Sequence, residues 1–153
     1  MKRASQLRQL SVDHHQCLVL ARRAKRLPSD STLPQRVELW EQVKKIFQTE
    51  LEPHFQIEET YIAAPLKKMS ENAIAEQLYS EHQQLRELVA DSPDDPADHL
   101  ICFGKLLESH IRFEERTLFV MAQNLLGEAA LDEIEKACAS TLKGKTGCSI
   151  FHD

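Results

Sequence analysis

Apolar and polar residues alternate along most of this chain with the period of an amphipathic helix. Proline and glycine punctuation divides the pattern into four long stretches and a shorter fifth one. These stretches lie at about residues 5–26, 34–64, 70–90, 96–127 and 128–142. Four helices of roughly 20–30 residues with short loops predict an all-α fold, an antiparallel up-down four-helix bundle with a short additional C-terminal helix.

Individual residues give the expected helix boundaries. Pro34 suits the first turn of the second helix, and Pro65 is expected to end that helix near Ala64. Ser70 is interpreted as the N-cap of the third helix. Gly127 is interpreted as the glycine that ends the fourth helix.

Length and composition limit the classes of protein that fit. We expect one domain at 1–142, followed by a flexible polar tail at 143–153. The net charge of −5 disfavours nucleic acid or an anionic membrane as the main partner. No apolar run reaches the ~18 residues that span a bilayer, and the basic first residues lack the apolar core of a signal peptide. The four cysteines form no CxxC motif and predict reduced thiols in a cytoplasmic protein, with Cys17 filling the core.

One segment of the chain occurs twice. LEPHFQIEETYI at 51–62 is followed 56 residues later by LESHIRFEERTL at 107–118. Both copies keep Leu-Glu-x-His and, after three intervening positions, Glu-Glu. A repeat retained only for packing would keep its apolar positions and let its polar ones vary. Retention of a histidine and two carboxylates therefore indicates chemistry.

A helical wheel places one His and one Glu of each copy, four residues apart, within the apolar stripe. The first and third helices each add one inward histidine, in the similar settings DHHQ at 13–16 and EHQQ at 81–84. The six inward residues are His14, His54, Glu58, His82, His110 and Glu114. His15 lies about 100° around the first helix and is the alternative to His14. Glu59 and Glu115 point toward solvent, where they would be solvated or hold an imidazole N–H or a surface arginine.

Two carboxylates buried beside four imidazoles need compensation, and metal ions supply it directly. This donor set suits iron, with manganese or zinc as alternatives, and no cysteine pair suggests a structural zinc site. One ion cannot readily use six groups from four helices, whereas two ions bridged by Glu58 and Glu114 can. With an oxo or hydroxo bridge, about two coordination positions remain for solvent, O2, peroxide or NO.

These residues make the chain resemble the hemerythrin-like, or HHE cation-binding, family over about residues 5–126. The likeness is carried by DHH at 13–15, HFQIEE at 54–59, EHQQL at 81–85 and HIRFEE at 110–115. The resemblance implies a four-helix bundle with a non-haem di-iron site held by the six inward residues. Members of the family bind O2 reversibly, sense O2 or iron, or handle NO, peroxide and iron–sulfur repair.

The chain departs from the O2-carrying members of that family in two ways. Those members have a fifth histidine four residues after the one on the third helix, where this chain has Arg86 after His82. Their last carboxylate is an Asp five residues after the histidine, where this chain has Glu115, although the wheel favours Glu114. The missing imidazole favours inner-sphere chemistry or a replacement ligand. The candidates for that replacement are Tyr79, Glu81 and His15.

Three hypotheses about function follow. The first is a di-iron protein that binds O2 or a related small oxidant, as a sensor, store or scavenger. The second is a di-iron enzyme that acts on peroxide, NO or O2. The third is a metal-responsive module that an unknown protein partner reads. The fifth helix and the tail would either cover an edge of the bundle or mediate a homodimer. The ferritin-like class is set aside because its Glu-x-x-His order is reversed here.

Overall fold

The computed structural model of the protein describes residues 2–143, and over this range it forms five helices. A 3-10 turn at Ser5–Leu7 leads into α1, Arg8–Lys25. Helix α2 covers residues 33–68, α3 is Asn72–Ala90, α4 covers residues 97–125, and α5 is Glu128–Lys143. The prediction of an all-α helical bundle is confirmed. The predicted flexible tail lies, apart from Lys143, outside the described residues.

Helices α2 and α4 are continuous but contain wider, π-helical turns. In α2 the segments are Leu33–Ile46, the π turn Phe47–Leu51, Glu52–Glu58, the π turn Glu59–Ala63, and Ala64–Lys68. In α4 they are Ala97–Phe113, the π turn Glu114–Leu118, and Phe119–Leu125. Pro53 and Pro65 each follow a π turn closely, and the wider register relieves the clash of a proline ring with the carbonyl four residues back. The prediction that Pro65 ends α2 was therefore wrong.

Two other predicted boundaries were also wrong. Ser70 has a φ of 69°, in the left-handed region, and it lies in the turn after α2, while α3 begins at Asn72. Helix α4 ends at Leu125, and the carbonyl of Gly127 accepts the N–H of Leu131 at 3.1 Å. Gly127 thus directly precedes α5 as its N-cap residue and does not end α4.

The core is divided into two apolar clusters. One contains side chains such as Leu7, Ile62 and Phe119, and α5 joins it through Leu131, Ile134 and Cys138. The other contains Leu20, Phe55 and Phe103 among its members. In α1 and α3 the inward histidine lies in sequence between the residues of the two clusters, and in α2 and α4 the change from one cluster to the other falls between the inward histidine and the inward glutamate. A polar layer therefore separates two apolar ends of the bundle.

Helix α1 packs most extensively on α4. The two backbones approach closely at Gly104, where a Cβ would lie 2.5 Å from the backbone nitrogen of Lys25 and closer still to the carbonyl oxygen of Ala21. Helix α5 packs on the Ser5–Leu7 turn, on α1 and on the second half of α2, so it covers an edge of the bundle. None of the helices within residues 2–143 has the length and apolar character that a membrane crossing requires.

Candidate metal centre

The polar layer consists of six side chains from four helices. Helices α1 and α3 each contribute one histidine, and α2 and α4 each contribute a histidine and a glutamate one turn later. The six residues are His14, His54, Glu58, His82, His110 and Glu114, and none is more than 4% exposed. The structure thus brings together all six residues that the helical wheel placed inward.

Their ligand atoms form two groups of four, and within each group the atoms lie within 4.8 Å of one another. One group contains His14 and His54, and the other contains His82 and His110. Glu58 and Glu114 belong to both groups. Two carboxylates therefore lie between two pairs of imidazoles, which is an arrangement suited to a pair of bridged cations.

The Nε2 atoms of the histidines converge on these carboxylates. Nε2 of His14 and Nε2 of His54 lie 3.0 Å apart. Nε2 of His14 is 3.0 Å from Oε2 of Glu114, and Nε2 of His54 is 3.1 Å from Oε1 of Glu58. In the other group, Nε2 of His82 lies 3.6 Å from Oε1 of Glu58 and 3.7 Å from Oε1 of Glu114.

Several of these converging atoms are buried without a hydrogen bond. They are both carboxylate oxygens of Glu58 and of Glu114, and the Nε2 atoms of His82 and His110. Buried polar atoms are nearly always paired, because an unpaired one costs the free energy of its lost hydration. A cation among these oxygens and nitrogens would satisfy them, so the residues present fit a metal.

Each of the four imidazoles also has a carboxylate on its outer nitrogen, Nδ1. The pairs are His14 with Glu115 (2.7 Å), His54 with Asp13 (3.2 Å), His82 with Glu59 (2.9 Å) and His110 with Glu81 (2.8 Å). A carboxylate that accepts the Nδ1–H fixes the tautomer that leaves Nε2 free for a metal, and it raises the basicity of the ring.

The outer carboxylates follow a reciprocal pattern. Asp13 and Glu81 directly precede the inward histidines of α1 and α3, yet they hold the histidines of α2 and α4. Each accepts a second hydrogen bond from a glutamine four residues earlier on its own helix, at 2.9 Å in α1 and 2.8 Å in α3. Glu59 and Glu115, next to the inward glutamates, hold the histidines of α3 and α1. The Glu-Glu pair in each copy of the repeat thus supplies one glutamate of the buried cluster and one outer carboxylate that holds a histidine.

The position of the missing fifth histidine belongs to an ion-pair cluster. The guanidinium of Arg86 donates to Glu59 at 2.8 Å and to both oxygens of Glu52 at 2.8–3.2 Å. It also lies 5.8 Å from the centroid of the Phe55 ring, which stacks on the His82 ring at 3.8 Å between centroids. Arg86 therefore supports His82 through Glu59 and through Phe55.

Of the three proposed replacement ligands, neither Glu81 nor His15 belongs to either group of four. Glu81 accepts the Nδ1–H of His110, the Tyr79 hydroxyl lies 3.5 Å from the backbone carbonyl oxygen of Glu59, and His15 is exposed. Sequence reasoning missed the role of Asp13 and Glu81, although both directly precede an inward histidine in DHHQ and EHQQ. It expected Glu59 and Glu115 to hold an imidazole N–H or an arginine, and each of them does both.

Charge in the layer is set by these contacts. Burial alone would raise the pKa of Glu58, but the positive charge of His54 and the nearby imidazole of His14 hold it well below the usual range. Burial alone would lower the pKa of His14, but the hydrogen bond to Glu115 and the negative charges of Glu58 and Glu115 raise it to about 9. In His110 burial prevails and the pKa is lowered. Glu58 is thus ionised and can attract a cation.

A helical bundle whose buried polar layer offers imidazoles and shared carboxylates belongs to the class of cation-binding bundles. The sequence model of the hemerythrin HHE cation-binding domain matches residues 5–122. The chain belongs to this family, whose domain binds metal cations. No curated protein and no solved structure matches the chain.

Proposed function

We propose that the protein is a non-haem di-iron protein that binds O2 or a related small oxidant, such as peroxide or NO, for sensing, storage or scavenging. The ligands would be His14, His54, Glu58, His82, His110 and Glu114. The observation that carries the proposal is the sharing of Glu58 and Glu114 between two buried groups of four ligand atoms. Two groups with two common carboxylates suit two ions better than one.

The donor set also bears on the choice of metal. Neither group contains a thiolate, and imidazole with carboxylate suits iron, with manganese or zinc as alternatives. When bound, iron would supply the redox and Lewis-acid chemistry that side chains lack. The chain itself orients four imidazoles, supplies two negative charges and surrounds them with apolar side chains. We propose a cytoplasmic location because Cys17 and Cys102 are free thiols.

A second candidate function is a di-iron enzyme that acts on peroxide, NO or O2. The observation that favours it is the position four residues after His82, where Arg86 is held by Glu52 and Glu59 outside both groups of four. With two imidazoles and two shared carboxylates for each ion, coordination positions remain for a substrate.

Metal content and an absorbance spectrum of the iron-reconstituted protein test both candidates. We expect about two irons per chain, with absorption bands that are lost in His54→Ala and in Glu114→Ala. Bands that change on adding O2 and return on its removal would support a carrier or sensor. Irreversible change with consumption of O2, peroxide or NO would support the enzyme. One iron per chain, or none, would contradict the bridged pair.

A further inference from the structure

The segment that precedes α1 reaches the metal centre through one side chain, Arg3. Its guanidinium donates to Oε2 and to the backbone carbonyl oxygen of Glu115, both at 2.8 Å, and to the side chain of Gln123 at 3.1 Å. Gln123 fixes the same segment further, because it accepts the N–H of Ala4 at 2.9 Å and donates to the carbonyl of Lys2 at 3.2 Å. These contacts attach the segment to α4.

Arg3 supports His14 by two routes. The other oxygen of Glu115, Oε1, accepts the Nδ1–H of His14 at 2.7 Å. The guanidinium also lies 5.3 Å from the centroid of the Phe119 ring, and Phe119 stacks on the His14 ring at 5.1 Å with an interplanar angle of 9°. One arginine thus holds both the carboxylate that orients His14 and the ring that covers it.

Arg86 makes the same pair of contacts in the other half of the centre, through Glu59 and Phe55 to His82. The two arginines lie on backbone segments of different kinds. Arg86 lies well inside α3 and is also bound to Glu52, whereas Arg3 lies on a segment that precedes the first 3-10 turn. A short non-helical segment opens locally at a lower free energy than a packed helix does.

The two halves also differ in access from the surface. His54, which shares a group with His14, lines a small surface cavity together with Gln9, Asp13 and Cys138. Asp13 is also the carboxylate that accepts the Nδ1–H of His54, so the cavity borders both residues of this pair. His14 and His54 are 3% and 4% exposed, against 0% and 2% for His82 and His110, so their group is the slightly more exposed of the two.

We propose that Arg3 is a latch for the metal held by His14 and His54, so that local opening of its segment makes this metal the more exchangeable of the two. The inference rests on the proposed pair of metal ions. Arg3 is a positioning residue, since it acts on the metal through Glu115 and Phe119. When the latch opens, Glu115 and Phe119 lose the guanidinium that fixes them. The acceptor and the stacking partner of His14 are then less well positioned, and its Nε2 becomes a weaker ligand.

The test is the release of iron from the fully loaded protein, kept anaerobic as Fe(II), to a chromophoric chelator. The wild type should release about one iron per chain in a fast phase and one in a slow phase. Arg3→Ala should accelerate the fast phase about 10-fold or more and leave the slow phase unchanged. Arg3→Lys should restore part of the difference. Arg86→Ala should accelerate the slow phase instead.

Two further variants separate the latch from general loosening. Arg8→Ala removes the same charge from an exposed position nearby and should leave both phases unchanged. Gln123→Ala frees the segment without removing Arg3 and should accelerate the fast phase. Acceleration of both phases to the same extent by Arg3→Ala, or a single phase for two irons in the wild type, would overturn the latch and leave the di-iron proposal standing. A wild type that holds fewer than two irons would instead contradict the proposed function.

Discussion

The Nδ1 atom of His82 donates to Oε1 of Glu59 at 2.9 Å, and Glu59 directly follows Glu58, whose oxygens belong to the buried cluster. Two adjacent glutamates on one helix therefore have separate tasks. One offers its carboxylate to the centre, and the other orients an imidazole from a neighbouring helix. Glu114 and Glu115 divide the same tasks on α4. This division explains why both copies of the repeat keep Glu-Glu.

Replacing Glu59 tests the role of the outer carboxylates. In Glu59→Ala the Nδ1–H of His82 loses its acceptor, so the ring is less well oriented and less basic. We expect the affinity for metal to fall about 10–100-fold, measured by competition with a chelator. Glu52→Ala is the matched control, because Glu52 also binds Arg86 but does not contact a histidine in the cluster. An equal loss in both variants would show that Arg86, and not the hydrogen bond to His82, carries the effect.

The two adjacent histidines of α1 should behave differently on substitution. His14 is buried in the polar layer, whereas His15 is exposed. We expect His14→Ala to lose at least one metal per chain, and His15→Ala to keep the full metal content. Elemental analysis of the two purified variants provides the measurement. Full metal content in His14→Ala would contradict the assignment of His14 as a ligand.

Removal of metal should destabilise the bundle. Without a cation, the oxygens of Glu58 and Glu114 remain buried without hydrogen bonds. A metal present at about 1,000 times its Kd stabilises the folded state by about 4 kcal/mol, so a strong chelator should lower Tm by about 10 °C. Thermal unfolding followed by circular dichroism, with and without the chelator, measures this. An unchanged Tm would count against a resident metal.

The contact between α1 and α4 gives a prediction that is independent of metal. A Cβ at Gly104 would overlap the backbone of α1, so Gly104→Ala should lower the free energy of unfolding by about 1–3 kcal/mol. Gly127→Ala is the control, because a Cβ there has no atom within 4 Å, and we expect a change below about 1 kcal/mol. Urea unfolding of both variants measures the difference. Equal stability would show that the helices can separate without cost.

The cysteines of α1 and α4 should differ in reactivity. Burial raises the pKa of the Cys17 thiol to about 12, while Cys102 is exposed. Because the thiolate is the reactive form, iodoacetamide at pH 8 should alkylate Cys102 in the folded protein and Cys17 only after unfolding. Peptide mass spectrometry after labelling distinguishes the two. Rapid labelling of Cys17 in the folded protein would show that this part of the core is open.

The helical fold and the inward residues were accessible from sequence because each depends on local periodicity. The errors at Pro65, Ser70 and Gly127 have a different origin. A proline normally ends a helix, and it is accommodated here by a π turn that no local residue pattern announces. Ser70 adopts a left-handed conformation that serine rarely takes.

The carboxylates that hold the Nδ1 atoms of the histidines were only partly predictable from the sequence. Asp13 and Glu81 occupy equivalent places in two similar motifs, so the repeat itself pointed to them. The contacts of Arg3 with Glu115 and Phe119 join parts of the chain more than one hundred residues apart. A helical wheel describes one helix at a time and contains no information about which side chains face each other across the bundle.

The π turn Glu59–Ala63 begins directly after the inward Glu58, and the π turn Glu114–Leu118 begins at the inward Glu114 itself. In an α-helix each residue adds a rotation of about 100°, so one additional residue in a turn resets the angular phase of everything beyond it. The residues of α2 and α4 beyond these π turns are thus set in phase independently of the ligands at or before the start of each turn. The orientation of the ligands and the packing of the apolar cluster beyond the turn therefore need not compromise each other.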